Sequence, residues 1–394
     1  MDHGLKDPRL STRASLFPES VIREMTRHAM KHEAVNLAQG FPDWNPPAEV
    51  VAAAKAALDG PHNQYAITWG APALRQAIAE KMRWFNDVTV DPETEITVTC
   101  GATEAMMAIM LAIVDPGDEV IVFEPFYENY GPDAALSGAT LRFVPLRPDR
   151  DFRFDPQELA AAFSPKTKAI IVNTPANPAG TVFTRAELEL IGELCREHDA
   201  LLVTDEIYEH ILYDGKAHVA PIALPDLRDR VIMVSGASKT YSMTGWRVAW
   251  VIAPPAVSTA IRRTHDFLTV GAPHPLQMGV AAALKLPTSY YRELAESYDA
   301  KRRFLVATLQ HAGFECHAPE GAYYVMADFR ELRPRAEMDD RDFALWLVKD
   351  IGLAGVPGGS FFRRKELGRD LIRFHFAKSM PTLEAAAQRL NKLR

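Results

Sequence analysis

Apolar positions in this chain follow two alternating rhythms. Short runs that are apolar at almost every position read as strands covered on both faces: Glu119 to Phe123, Thr140 to Val144, Ala169 to Asn173, Leu201 to Asp205, Val231 to Val234 and Val248 to Ile252. Ile96 to Cys100 alternates β-branched residues and reads the same way. Helical spacing marks Pro18 to His32, Glu49 to Leu58, Ala71 to Phe85, Ala105 to Val114 and Arg185 to His198. The last opens on Thr184 with Glu187 three residues on, a capping box. Strand alternating with helix predicts a three-layer α/β domain with a mostly parallel sheet.

From about Thr288 the rhythm changes. Tyr290 to Ala312 is a long charged amphipathic helix stopped by Gly313. Strand-like runs follow at Ala322 to Asp328, Leu353 to Val356 and Leu371 to Phe376, with helical patterns at Asp340 to Asp350 and Thr382 to Leu393. This predicts a smaller α+β domain. The expected division is a large domain over 48–287, a C-terminal small domain over 288–394, and residues 1–47 as an arm that joins the small domain. Met1 to Ser15, polar throughout, is expected to be flexible.

Composition narrows the field. The 394 residues are 47% hydrophobic and 24% charged, ordinary for a globular protein with ample core. A net charge of −7 argues against nucleic acid as a partner. Cys100, Cys195 and Cys316 stand far apart, so no metal-ligand spacing exists and no metal is expected. Few unpaired cysteines, no basic leader and no run of roughly 18 apolar residues point to a cytoplasmic, non-membrane protein.

In parallel α/β sheets, ligands gather beyond the carboxyl ends of the strands. Those ends lead here to Gly101-Ala102-Thr103-Glu104, to Tyr127, to Asn173–Gly180, to Asp205–Tyr208 and to Lys239. Gly101–Glu104 opens a helix and can hold an anion on its N–H groups, or be an ordinary turn. Lys239 lies on an expected loop, Ser235 to Arg247, among the hydroxyls of Ser235, Ser238, Thr240, Tyr241 and Ser242. Hydroxyls and an arginine suit phosphate oxygens, and a lysine beside them suggests covalent capture of pyridoxal phosphate. Taken alone, the segment reads equally as a surface loop.

Together these segments resemble the class I aminotransferases, the fold-type I pyridoxal-phosphate enzymes. The resemblance rests on Asn36–Pro42, Asn63–Ala66, Gly101–Thr103, Glu124–Tyr127, Asn173–Gly180, Asp205–Tyr208, Ser235–Arg247 and Arg373, in this order. Asn-Leu-Ala-Gln-Gly-Phe-Pro-Asp and Glu-Pro-Phe-Tyr are similar to the kynurenine, glutamine and methionine branch. The resemblance implies that Lys239 carries the cofactor and shuttles the proton, and that Asp205 pairs with the pyridine nitrogen. Tyr208 and Asn177 would bond the phenolic oxygen, and Tyr127 would stack on the ring. It further implies phosphate binding by Gly101, Ala102, Thr103, Ser238 and Arg247. Tyr65 would reach the phosphate of a neighbouring subunit, so a homodimer with composite sites is expected. Arg373 would clamp the substrate α-carboxylate, with Asn177 and the Gly40 backbone. The partners are then an amino acid and a 2-oxo acid, in ping-pong transamination.

Three departures shape the expectations. Many members carry a phosphate-binding serine where this chain has Gly236, so Ser235 or Ser238 is expected to substitute. Val270 and Gly271 are small where kynurenine enzymes carry bulky pocket residues. No position suggests the side-chain arginine of dicarboxylate-specific enzymes. An uncharged amino donor is therefore expected. Aspartate transamination, or β-elimination on cysteine conjugates or cystathionine, are the alternatives within this fold. A ligand sensor fused to a helix-turn-helix is disfavoured by the short N-terminal arm and the negative charge.

Overall fold

The computed structural model describes residues 9–332 and 338–393. Residues 1–8 of the expected flexible arm lie outside the described residues; Thr12–Ser15 forms a single 3-10 turn. In chain order come α1 (Val21–Lys31), β1 (Val35–Asn36), α2 (Ala48–Asp59), α3 (Pro72–Asn86), β2 (Ile96–Thr99), α4 (Ala102–Ile113), β3 (Glu119–Glu124), α5 (Tyr130–Ser137) and β4 (Thr140–Pro145). Next are α6 (Pro156–Ala162), β5 (Thr167–Asn173), α7 (Arg185–Glu197), β6 (Leu201–Asp205), β7 (Val231–Gly236), α8 (Ala237–Thr240), β8 (Ala249–Ile252), α9 (Pro255–Thr269) and α10 (His274–Ala283). The chain closes with α11 (Thr288–His311), β9 (Glu315–Cys316), β10 (Tyr324–Asp328), α12 (Asp340–Trp346), β11 (Leu353–Ala354), β12 (Val356–Pro357), β13 (Leu371–His375) and α13 (Met380–Leu390).

Seven strands form one sheet in the order β2-β8-β7-β6-β5-β3-β4. All run parallel except β8, which is antiparallel to both neighbours. The apolar runs are explained by two cores. Val120 and Val122 of β3 face the core made with α4, α5 and Ile261 of α9, whereas Ile121 and Phe123 face the opposite core. Successive residues of a strand point to opposite faces, so a sheet covered on both sides needs an unbroken apolar run. This is a three-layer α/β fold. A second, antiparallel sheet has the order β12-β13-β10-β9, and β1 pairs in parallel with β11.

Several expectations are corrected. The helices α5, α6, α9 and α10 were not anticipated from the sequence. Gly131 and Pro132 in α5 disguise a helix, yet Pro is tolerated in a first turn and Gly138 closes it at φ 83°. The helix read from Ala105 starts at Ala102, because Gly101 (φ 83°) turns the chain three residues earlier. Leu353 to Val356 is two strands: Gly355 breaks it where a side chain would strike Phe374 and Ile372. The pattern Asp340 to Asp350 is α-helical only to Trp346 and ends in a π-turn closed by Gly352. Lys239 sits on the one-turn helix α8, not on a loop. Among the described residues, no helix is long and apolar enough to cross a membrane.

Beneath the turn after β6 lies a buried ionic cluster. Lys81 Nζ donates to Glu209 Oε2 at 2.5 Å and to Asn86 Oδ1 at 2.9 Å. Ser235 Oγ donates to Glu209 Oε1, and His218 and Thr204 bond the Glu206 carboxylate, each at 2.5 Å. Glu206, Glu209 and His218 bring donor atoms within 4.8 Å of one another, but the Lys81 ammonium already neutralises that corner. Burial raises the Glu209 pKa, yet the Lys81 charge outweighs it and holds the acid down to about 2. Replacing Lys81 by Met strands a buried carboxylate, and we expect a loss of about 3–5 kcal/mol in stability. Denaturant titration of wild type and Lys81→Met checks this; an unchanged midpoint contradicts the pairing.

Candidate active site

One cavity of about 420 Å³ opens at the carboxyl ends of the parallel strands. Because β8 runs the other way, its amino end meets the same edge and delivers Arg247 there. β6 ends on Asp205, and β7 leads into α8 and Lys239. β13 of the second sheet supplies Arg373 across the cavity.

Lys239 Nζ donates to the Gly40 carbonyl at 3.2 Å and lies 5.8 Å and 5.7 Å from the ring centres of Tyr208 and Tyr323. Burial, with the positive charges of Arg247 and Arg373, lowers its pKa to about 8. The amine is therefore far more available as nucleophile and base near neutrality than an ordinary lysine. Asp205 is buried; Tyr130 Oη donates to its Oδ2 at 2.7 Å and the Ile207 N–H to its Oδ1 at 3.4 Å. Burial raises its pKa against those bonds, so the carboxylate favours a cationic partner.

Arg373 is only 1% exposed, unlike the solvated side chain that an arginine on an alternating strand usually is. Its Nη1 donates to Asn177 Oδ1 at 2.8 Å and its Nη2 to the Ala38 carbonyl at 2.6 Å. The guanidinium lies between the rings of Tyr324 (4.5 Å) and Phe361 (4.7 Å), and its buried Nε lacks a protein partner. Tyr208 Oη and Tyr324 Oη share a hydrogen bond of 2.9 Å.

At the other end, Gly101 caps α4 without a side chain, leaving the first N–H groups of the helix free of intrahelical partners. A Cβ on Gly101 would displace the Arg247 guanidinium, and the φ of 83° favours glycine there. Ala102, Thr103, Ser238 and Arg247 line this end of the cavity.

Most of the sequence-predicted residues thus converge: Tyr127, Asn177 and Gly40 also line the cavity, beside Lys239, Asp205, Tyr208 and Arg373. Gly101 does not line it and acts through the turn. Tyr65 stands outside, 86% exposed. Ser235 does not substitute for the missing serine, because its hydroxyl is turned to Glu209 on the far side of the strand. Of the other hydroxyls of the segment, Tyr241 is buried against Tyr291, while Ser238 and Thr244 line the cavity. Gly236 has no room for more: a Cβ would lie 2.8 Å from that of Ala249 and 3.0 Å from Ile207. Val270 and Gly271 do not line the cavity of this protomer. Tyr130, Tyr324, Arg23 and Glu128 do, and sequence reasoning missed them. A tyrosine three residues after Tyr127 at a strand's carboxyl end was a signal for Tyr130. The others are placed by packing alone.

The family described as aminotransferase class I and II matches residues 32–390. The chain is 38% identical to the methionine aminotransferase of Escherichia coli K12, over 95% of this chain and 96% of that one. It is 35% identical to kynurenine–oxoglutarate transaminase 1 of Rattus norvegicus, over 94% of each. Among solved structures, the N-succinyldiaminopimelate aminotransferase of Mycobacterium tuberculosis superposes with a TM-score of 0.94 at 36% identity, covering 98% of this chain and 100% of that one. The chain belongs to the class I and II aminotransferases, a family that implies pyridoxal phosphate as cofactor. Its branch is that of the methionine and kynurenine enzymes, and the protein is a transaminase, moving amino groups between amino acids and 2-oxo acids.

The cavity fits that cofactor. The glycine cradle under Arg247 suits a phosphate, the buried acid Asp205 suits a protonated ring nitrogen, and the unpartnered Arg373 Nε suits a carboxylate. In the cofactor-free protein, capture of pyridoxal phosphate by Lys239 should accelerate with pH, with a midpoint at about 8. Only the neutral amine attacks the aldehyde, and the lowered pKa supplies it early. Stopped-flow absorbance from pH 6 to 10 measures this; a midpoint near the ordinary lysine value of 10.5 contradicts the burial argument.

Proposed function

We propose that this transaminase holds pyridoxal phosphate at Lys239 in the cavity between the two sheets and accepts an amino donor with an uncharged side chain. The observation that carries the reading is the meeting of a buried low-pKa lysine, a buried aspartate and a buried arginine in one cavity. When bound, the cofactor supplies an electron-accepting ring for the electron pair released at the substrate α-carbon. Asp205 keeps the ring nitrogen protonated, and Tyr130 holds the Asp205 carboxylate in place. Tyr208 and Asn177 would bond the phenolic oxygen, and Tyr127 would lie against the ring. Ala102, Thr103, Ser238 and Arg247 hold the phosphate, with Gly101 shaping the turn. Lys239 removes the proton from the substrate α-carbon and returns it on the other side of the transfer. Arg373 grips the α-carboxylate through its planar fork, and by fixing that plane it orients the bond to be broken.

The same machinery serves β-elimination, which stays the alternative activity; Ile22 and Phe41 on the cavity wall favour an uncharged donor over aspartate. We take the working unit to be a cytoplasmic homodimer, with the chain divided at 1–47, 48–287 and 288–394. Tyr65 (86% exposed) and Phe267 (93%) are large rings left in water by one protomer, which supports a second copy that covers them. Tyr65 then completes the partner's phosphate site.

Lys239→Ala should bind the cofactor without covalent linkage and lose transamination; wild-type turnover overturns the assignment. Asp205→Asn should lose roughly two to three orders of magnitude in kcat, about 2.7–4 kcal/mol, while retaining cofactor. Steady-state rates at saturating cofactor measure it. Mixing Lys239→Ala with Tyr65→Ala chains should restore activity, because one site of each heterodimer is then intact. No recovery with heterodimers present excludes shared sites.

A further inference from the structure

On the cavity wall, Tyr324 touches two working groups at once. Its hydroxyl and that of Tyr208 are hydrogen-bonded at 2.9 Å, and its ring carries the Arg373 guanidinium at 4.5 Å. The reading above, on which this inference rests, gives Tyr208 and Arg373 roles and leaves Tyr324 without one.

Strand register explains the ring contact. β10 pairs with β13 so that Tyr324 lies opposite His375, and Met326 opposite Arg373. Tyr324 and Arg373 are therefore diagonal neighbours on one face of the sheet, about 7–8 Å apart at the backbone, within reach of an aromatic and a long side chain. From there the ring extends to the turn after β6, where it meets Tyr208 edge-on at an interplanar angle of 88°.

The direction of the hydroxyl bond follows from counting protons. A third phenol nearby, Tyr323, donates to the Gly40 carbonyl at 2.8 Å, so its proton is committed elsewhere. Burial raises the pKa of both Tyr208 and Tyr324, with the Arg373 charge opposing it at Tyr324, and keeps both phenols protonated. Each hydroxyl has one proton to give and lone pairs to accept with. Once Tyr208 gives its proton to the phenolic oxygen of the cofactor, its contact with Tyr324 persists only with Tyr324 as donor. Donors in series polarise one another, so the outer hydroxyl strengthens the inner bond.

We propose that Tyr324 is a positioning residue of this transaminase with two ends: its hydroxyl donates to Tyr208 and so commits the Tyr208 proton to the phenolic oxygen, while its ring seats the Arg373 guanidinium for the α-carboxylate. One side chain thereby ties the setting of the cofactor to the substrate clamp.

Absorbance titration of the cofactor-loaded enzyme against pH reads the first end, because negative charge on the phenolic oxygen is what Tyr208 stabilises. Tyr324→Phe should raise the midpoint by roughly half a pH unit, about threefold in the protonation constant. Tyr208→Phe should raise it further, and adding Tyr324→Phe to Tyr208→Phe should change nothing more, since the hydroxyl acts only through Tyr208. Calorimetric binding of butanoate to the loaded enzyme reads the second end. Tyr324→Phe keeps the ring and should bind as wild type does, whereas Tyr324→Leu should bind roughly threefold or more weakly. An unchanged midpoint in Tyr324→Phe, or an equal rise with and without the Tyr208 hydroxyl, overturns the relay; wild-type affinity in Tyr324→Leu overturns the seat. Wild type whose bound cofactor absorbs as it does in Lys239→Ala fails the functional reading instead.

Discussion

Everything at this site depends on keeping one amine out of water beside two guanidiniums. Lys239 is enclosed on α8 with its pKa lowered to about 8, first by desolvation and then by Arg247 and Arg373. Burying an unpaired ammonium is costly, and the fold meets the cost by letting the lysine give up its proton at about pH 8 instead of 10.5. Both arginines line the same cavity as the lysine. On the proposed reading, the charges that would bind substrate and cofactor also tune the base between them.

Holding three such groups at fixed separation requires rigid supports on several sides. The large sheet presents Asp205 and Lys239 from adjacent parallel strands, and its one reversed strand brings Arg247 to the same edge. The second sheet presents Arg373, pinned by Asn177 and Ala38 from elsewhere in the chain. Tyr324 joins the two sides: its hydroxyl bonds Tyr208 and its ring carries the Arg373 guanidinium. Gly40 lies against that tyrosine, where a side chain would collide with its hydroxyl, and its carbonyl receives both Lys239 and Tyr323. Beneath the turn, the Lys81–Glu209 pair fixes the backbone from which Asp205 and Tyr208 project. Large opposing charges are therefore buried on both sides of residues 205–209.

The second position of the lysine segment illustrates how local packing decides which side chain a cavity receives. Where relatives are expected to place a serine, Gly236 is pressed against Ala249 and Ile207. Ser238, two residues on, does reach the cavity. Ser235, equally plausible by composition, belongs to the charge cluster behind the strand. Ser235 is still on β7 and faces the charge cluster, whereas Ser238 stands on α8, whose turn carries it to the cavity.

That distinction divides what the sequence determined from what the tertiary structure decided. Unbroken apolar runs between amphipathic helices specify a sheet buried on both faces, and such a sheet gathers polar residues at its carboxyl edge. Lys239, Asp205 and the Gly101 turn stood out as candidates for that reason, since each ends or soon follows a strand that periodicity identifies, and the family resemblance supplied their expected roles. Arg373 was legible only through family resemblance, since nothing local distinguishes it from a solvated arginine. Tyr324 was not legible, and Tyr130 was signalled only by its spacing from Tyr127. Their contacts depend on how α5 and β10 pack across large sequence separations, and periodicity records which face of an element is buried but not what lies opposite it.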